Sequence, residues 1–265
     1  VLVKERNDVA DAYSTGAQAW ADGPIRVYGA MAEQLLERSP IPLPGARLLD
    51  LGTGTGAASR PAVTAGASVT AVDHAFGMLQ TDRAARPPGL VADAVALPVR
   101  RGAFDLVVAA FSLNHLEDPA AGVREAAEAL SDGGFLLAST YARDDDHPAK
   151  HAAEEALQEF GWEMPPWYPQ VKAAMAAWGT TRDAAAAVER GGMEPVSVEH
   201  CRLLFPELGP EALVRWRLGM AQAAPFVGGL DDQERDALAR RAVELLGPDP
   251  EPLVRSVIFI VARAH

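Results

Sequence analysis

The chain has 265 residues, 49% of them hydrophobic and 23% charged, with a formal net charge of −12. That length suits a sizeable buried core in one large α/β domain, and an acidic balance without a basic stripe argues against a nucleic-acid partner. One cysteine, Cys201, excludes an intramolecular disulfide framework and a cysteine zinc site, while no apolar run approaches the roughly 18 residues of a membrane span. The first residues also lack the apolar core of a signal peptide, so a cytoplasmic protein with a small-molecule ligand is expected.

Residues 1–40 hold two helical stretches ahead of the first strand. Residues 8–20 carry Val9, Ala12, Tyr13 and Trp20, and read either as a flap over a ligand or as aromatic packing on a sheet edge. Pro24 suits the first turn of a second helix, in which Ile25, Tyr28, Ala32, Leu35 and Leu36 recur at helical spacing. A proline-rich stretch at 39–44 ends it.

Residues 48–56, Leu-Leu-Asp-Leu-Gly-Thr-Gly-Thr-Gly, organise the rest of the chain. An apolar run reaches an acid, Asp50, and then breaks into glycines at Gly52, Gly54 and Gly56. This is the pattern of a first strand, a tight turn and a helix start, here expected over residues 57–65. Ligands of open α/β sheets sit at the carboxyl ends of such strands, and glycines let them lie almost on the main chain. A second strand over 67–72 ends in Asp73, close to the roughly 20-residue spacing at which an acid grips a ribose hydroxyl pair. A carboxylate accepts from two adjacent hydroxyls at once; the alternative is a strand-end acid facing water.

Met78, on the next helix, is placed to touch an adenine face, and a short third strand at 90–92 leads into Asp93 and Ala94. Asp93 suits a bond from a purine's exocyclic amine. A fourth strand over 104–111 is apolar nearly throughout, as a strand covered on both faces should be, with Asp105 as a local cap. Asp118-Pro119 opens a helix that Gly133-Gly134 ends, and residues 135–140 form a fifth strand.

Beyond residue 141 the sequence informs shape more than chemistry. His147 and His151 are four apart, but Pro148 and the acid run at 144–146 favour a helix start in water over a metal site, so no metal is expected. The helix over 149–160 gives way to a proline- and aromatic-rich stretch at 161–169, read as substrate wall, lid hinge or packing patch. A helix at 180–192, a strand at 194–205, helices at 210–223 and 230–246 and a strand at 253–262 complete the chain. Arg215, Trp216, Arg217 and Met220 either meet a substrate or pack on the sheet, and Cys201 is a small core or edge residue. The expected fold is α/β, a Rossmann-like doubly wound seven-stranded sheet with helical lid insertions. One domain is expected over 1–265, with an N-terminal helical flap at 1–40, a cofactor-binding core at 45–142 and lid elements at 143–180 and 206–247.

The run at 48–56, Val-Thr-Ala-Val-Asp at 69–73, Ala-Asp-Ala-Val-Ala-Leu-Pro at 92–98, Phe-Asp-Leu-Val-Val at 104–108 and Leu-Asn-His-Leu at 113–116 resemble a known family. It is the class I S-adenosylmethionine-dependent methyltransferases, in the ubiquinone/menaquinone-biosynthesis-like branch that includes bacterial small-molecule methyltransferases. The resemblance implies S-adenosyl-L-methionine as cofactor. Gly52, Thr53, Gly54 and Gly56 would form the turn under its methionine portion, whose ammonium would meet carbonyls near Gly52 and the acidic neighbourhood of Asp50. Asp73 would hold the ribose hydroxyls, with His74 and Met78 flanking ribose and adenine. Asp93 and the Ala94 amide would read the adenine edge, Ala110 and Phe111 would lie near the sulfonium, and Tyr13 would close over it.

The implied activity is methyl transfer to the oxygen, carbon, nitrogen or sulfur of a small, apolar specialised metabolite, with a homodimer as one candidate assembly. The sulfonium methyl is already electrophilic, so the task is an in-line approach within about 3–3.5 Å with water kept out. For a phenol or alcohol acceptor, an imidazole of ordinary pKa of about 6.5 would be a natural base, which points to His115. Otherwise His115 and Asn114 brace the loop or line the pocket. Two alternatives stand beside this reading. One is a protein of the same fold that binds the cofactor but acts as a cyclase or regulator. The other, less favoured, is an NAD-dependent oxidoreductase, since Gly52-x-Gly54-x-x-Ala57 also fits the permissive dinucleotide pattern.

Overall fold

The computed structural model describes residues 2–265, with side chains from Asp8 onward, so Val1 of the expected flap lies outside the described residues. Seven strands form the sheet: β1 (Arg47–Leu51), β2 (Ser68–Asp73), β3 (Gly89–Val91), β4 (Phe104–Ala110), β5 (Leu130–Tyr141), β6 (Glu194–Phe205) and β7 (Leu253–Arg263). Their order is β3-β2-β1-β4-β5-β7-β6. The first five strands run parallel and β7 runs antiparallel to both its neighbours. The order turns back between β1 and β4, so the connections after these strands diverge and leave a crevice at their carboxyl ends. Because β7 is antiparallel, its amino-terminal end lies at the same edge.

Twelve helices connect and cover the strands: α1 (Leu2–Thr15), α2 (Ala17–Asp22), α3 (Ile25–Leu36), α4 (Ser59–Thr64), α5 (Phe76–Gln80) and α6 (Pro119–Ala129) in the first half. The second half holds α7 (Pro148–Glu159), α8 (Tyr168–Ala177), α9 (Thr181–Arg190), α10 (Pro210–Leu218), α11 (Ala224–Gly229) and α12 (Asp232–Leu246). Two apolar layers sandwich the sheet. Val27, Met31 and Leu35 of α3 pack with Leu48, Leu106, Leu137 and Phe259 on one face. Val123 and Ala126 of α6 and Ala184, Ala187 and Val188 of α9 pack with Leu49, Val107, Leu136 and Ile260 on the other. This two-sided cover explains why β4 and β7 read as mostly apolar runs. The edge strand β6, by contrast, alternates half-buried and exposed positions and displays Glu199 and Arg202.

Five local expectations differ from what forms. The helix opened by Asp118-Pro119 ends at Ala129, and Gly133-Gly134 fall inside β5, because Leu130 already pairs with Phe104 of β4. The helix expected over 8–20 breaks at Gly16, where an added Cβ would stand 2.7 Å from the Ala224 Cβ, so α11 packs directly on the joint. The helix after the glycine turn begins at Ser59 rather than Ala57, because Gly56 at φ +94° keeps the chain turning. Residues 168–177 form α8, with proline in its first turn, where the missing N–H costs nothing. Residues 210–223 form a helix only to Leu218, after which the short α11 intervenes before α12.

Above the crevice, α1, α8 and the segment after α10 meet through Trp167, Val171 and Ala221, with Val9, Ala12, Tyr13, Tyr168 and Met175 packed around them. α1 is seated on α5 by a close backbone approach. The Gly77 N–H donates to the Ser14 hydroxyl at 3.2 Å, and a Cβ on Gly77 would lie 2.3 Å from the Ser14 carbonyl oxygen. Gly77→Ala is therefore expected to lift α1 without opening the sheet. Hydrogen exchange should then lose protection over residues 9–20 by more than about tenfold, with β1 and β4 unchanged; unaltered protection of α1 would refute the seating.

Candidate active site

The turn after β1 is fastened from below and from the side. Asp50 is 1% exposed, and one of its oxygens accepts from the Thr53 hydroxyl at 2.7 Å and the Ser59 hydroxyl at 2.6 Å. Burial raises its pKa above the ordinary carboxylate value, opposed by those two hydroxyls. The Gly52 and Thr53 amides donate to the Val72 carbonyl at 2.9 and 3.0 Å, which binds the turn to β2. Gly52, at φ +74°, also passes so close to Ser112 that a Cβ there would stand 2.3 Å from the serine's own Cβ. At Gly54 nothing lies within 4 Å of where a Cβ would be, so the main chain faces open space.

Asp73 supplies the side wall. Its Oδ2 accepts from the Gly54 amide at 2.7 Å and its Oδ1 from the Ala75 amide at 2.8 Å. Burial raises its pKa, while the Ala75 and Gly54 amides and Arg86 favour the charged form. Each oxygen keeps acceptor capacity for a further donor. Asp93 accepts from the Val95 amide at 3.1 Å across a tight turn that directs Ala94 to the same space.

A cavity of about 500 Å³ runs along the carboxyl ends of the strands. Tyr13, Gly52, Thr53, Gly54, Asp73, His74, Met78, Asp93, Ala94, Ala110, Phe111, Asn114 and His115 all line it. Asp50 and Gly56 do not: Asp50 lies beneath the floor, tied to Thr53 and Ser59, and Gly56 packs against Arg86 and Arg60. Asp50 therefore sits behind the turn and braces it from below rather than at the cavity surface.

Beyond the glycine turn the wall is aromatic. Phe111 has φ +54°, a left-handed conformation costing of order 1–3 kcal/mol in a residue with a side chain. Its amide is held by the Ser139 carbonyl and hydroxyl, both at 3.2 Å. That turn stacks its ring 4.6 Å from Tyr141 and 5.3 Å from Tyr28, and Trp20 lies 4.7 Å from Tyr28.

Asn114 is 0% exposed, and neither its amide oxygen nor its nitrogen has a partner among the described residues. A buried amide without a partner costs about 1–3 kcal/mol, so Asn114 presents the cavity wall with an unspent hydrogen-bonding group. His115 Nε2 meets the Tyr13 hydroxyl at 3.2 Å, while Nδ1 has no partner. Burial lowers the His115 pKa to about 4. The imidazole is therefore neutral at physiological pH and a weaker base than the ordinary value suggested, which favours hydrogen bonding over proton removal.

Comparison with known proteins shows where this chain is similar to them. Residues 49–138 match the methyltransferase-domain family. The seven-stranded sheet is that of the Rossmann-like methyltransferase fold. Over 117 residues it is 32% identical to a demethylmenaquinone methyltransferase of Renibacterium salmoninarum, an alignment covering 43% of this chain. The chain spans about half the length of that curated relative, 49%. A putative methyltransferase from Bacillus halodurans superimposes with a TM-score of 0.55 at 17% identity, covering 88% of this chain and 97% of the other. The [4+2]-cyclase SpnF does so with a TM-score of 0.53 at 18% identity, covering 89% and 80%. These two share the fold.

Several lining residues were not singled out by sequence, among them Tyr141 at the end of β5, Lys150 on α7 and Arg255 in β7. Of the four residues on α10 and just after it, Trp216, Arg217 and Met220 line the cavity, and Arg215 does not. Trp167, Tyr168 and Lys172 form part of the α8 wall. Tyr168 and Lys172 have the Tyr-x-x-x-Lys spacing used in hydride chemistry, but the Lys172 ammonium lies over the Tyr168 ring face, 5.8 Å from its centroid. His147 caps α7 and contacts the Glu251 carbonyl, and His151 contacts Asp146, so both histidines serve local structure. Among the described residues no helix is long and apolar enough to cross a membrane.

The buried imidazole makes stability pH-dependent with a definite sign. Between the unfolded pKa of about 6.5 and the folded value of about 4, the unfolded chain binds the extra proton, so stability falls as pH drops through that window. His115→Gln should remove up to about 3 kcal/mol of this acid sensitivity. Melting temperatures of the two proteins at pH 4.5 and 7.5 provide the check, and parallel pH curves would refute the assignment.

Proposed function

We propose that this chain binds S-adenosylmethionine in the crevice and moves its methyl group to a small, largely apolar acceptor of specialised metabolism. The observation that carries this reading is the single cavity joining the glycine turn and Asp73 at one end to Asn114, His115 and the aromatic wall at the other. Its residues fit the cofactor: Asp73 retains lone pairs for two ribose hydroxyls, the bare main chain at Gly54 admits a close neighbour, and Asp93 and Ala94 line the same cavity. When bound, the cofactor supplies an electrophilic methyl on a sulfonium that leaves as a neutral thioether.

The protein's work is then positional. The Asp50–Thr53–Ser59 bonds hold the turn rigid, and Phe111 and Tyr141 present ring faces along the path. Asn114 and neutral His115 fix the acceptor's polar atoms, which is where orientation yields rate. Segments 1–40, 143–180 and 206–247 serve as flap and lids that exclude water. An acceptor whose nucleophile is already a thiolate, enolate or phenolate suits a site with so weak a base.

Calorimetry against S-adenosylhomocysteine and NADH tests the cofactor. Tight binding of the former alone is expected, and binding of NADH alone would replace the reading with a dehydrogenase. Asp73→Ala should weaken S-adenosylhomocysteine by more than about tenfold, through loss of two charge-assisted bonds; near-native affinity would count against the assigned grip. Methyl-labelled cofactor incubated with candidate acceptors should transfer label. A converted acceptor that carries no label would instead indicate non-methylating chemistry.

A further inference from the structure

The end of the cavity away from Asp73 holds a group of charges that cofactor binding does not use. Arg255 is 3% exposed, and its guanidinium carbon lies 4.2 Å from the Tyr141 ring centroid and 4.7 Å from that of Trp216. One nitrogen, Nη2, meets Asp145 at 2.9 Å, whereas Nε and Nη1 are buried without any partner among the described residues. Lys150 donates to the same Asp145 oxygen at 2.7 Å and to the Asp145 carbonyl at 2.7 Å. The second Asp145 oxygen already accepts from the Ser256 amide at 3.0 Å. Arg217 lies over the Trp216 ring at 5.1 Å, makes no ion pair among the described residues, and has a buried, partnerless Nε.

Two cations, Arg255 and Lys150, therefore share one buried carboxylate whose acceptor sites are largely taken, and Arg217, on the same cavity wall, has no acid partner among the described residues. The other acids nearby are placed differently. Asp146 is exposed and bonded to His151 at 2.8 Å, with Lys150 3.8 Å away, and Glu154 is a half-buried lining residue. Leaving guanidinium donors dry and unpaired is expensive, more so than for a neutral amide. A protein that wanted only an aromatic wall would place an apolar residue between Tyr141 and Trp216. In β7, Arg255 is the one charged residue among those between Leu253 and Ala262, so the sheet itself does not call for it.

We propose that the acceptor is an aryl or polycyclic carboxylate whose acid group is bound by Arg255, Arg217 and Lys150. This assignment rests on the methyltransferase reading of the same cavity. The guanidinium of Arg255 lies against the Tyr141 and Trp216 rings and keeps Nε and Nη1 as unpartnered donors, which suits a carboxylate. The acid group then anchors one end of the acceptor, and the remainder lies along Phe111 and Tyr141 toward Asn114, His115 and the glycine turn. In this scheme Arg255, Arg217 and Lys150 determine which acceptors enter, while the methyl-accepting atom sits elsewhere on the ligand.

The test uses the full chain loaded with S-adenosylhomocysteine and, by calorimetry, compares benzoate, 2-naphthoate and 4-hydroxycinnamate with their carboxamides and with phenyl phosphate. The expected result is that at least one acid binds about tenfold or more tighter than its amide, a preference cut to below about threefold by Arg217→Gln and by Arg255→Gln. Affinity for S-adenosylhomocysteine should stay within about twofold in both variants. Arg217 is only half-buried, so its variant carries the test should Arg255→Gln fail to fold. Equal binding of acids and amides, no binding of any probe, tighter binding of phenyl phosphate, or a preference that survives Arg217→Gln would each overturn the proposal. Loss of S-adenosylhomocysteine binding in the native chain would overturn the methyltransferase reading and this one with it, whereas binding without an acid preference overturns this one alone.

Discussion

The pair of bonds from Asp73 to the amides of Gly54 and Ala75 is the constraint on which the rest of the crevice depends. One carboxylate ties the turn after β1 to the start of α5, while the Val72 carbonyl holds the preceding two amides. The turn can then stay open to a ligand without collapsing onto Ser112, which it approaches too closely for any side chain at Gly52. Asp50 completes the fastening from underneath, its burial tolerated because two hydroxyls satisfy it. The backbone is thus set in place before any ligand arrives, and little ordering is left to be done on binding.

Much of this was legible in the sequence because it is local. Glycines at alternating positions, an acid before them and an acid ending the next strand lie within 24 residues of one another, between Asp50 and Asp73, and each obeys a stereochemical rule that needs no tertiary context. The strand pattern, with apolar runs where both faces are covered, reads equally well. Helix joints were less legible. The break at Gly16 exists because α11, more than 200 residues later in the chain, packs on it, and α8 forms despite prolines because they fall before it or in its first turn.

The far end of the cavity was not legible for the same reason. Tyr141, Lys150 and Arg255 come from β5, α7 and β7, with β7 brought beside β5 only by its antiparallel return, and of this group the sequence offers only Arg217 of α10 as a candidate substrate contact. One signal was present: a lone arginine in an apolar strand, where a charge is costly unless it is needed. The environment of His115 was hidden too. Its burial comes from α1 and α8 lying across the loop, so an imidazole that looks ordinary in the sequence is held neutral in the fold.

The arrangement of charge has a further consequence for how ligands reach the site. A surplus of 12 negative charges creates a field that draws in a positively charged sulfonium and opposes an incoming anion, even though the innermost wall carries arginine and lysine. Arrival and retention are then governed by opposite signs of potential, one spread over the exterior and one confined to the interior. Raising ionic strength screens the outer field far more than the dry inner one, so an anion would arrive faster in salt with its dwell time little changed.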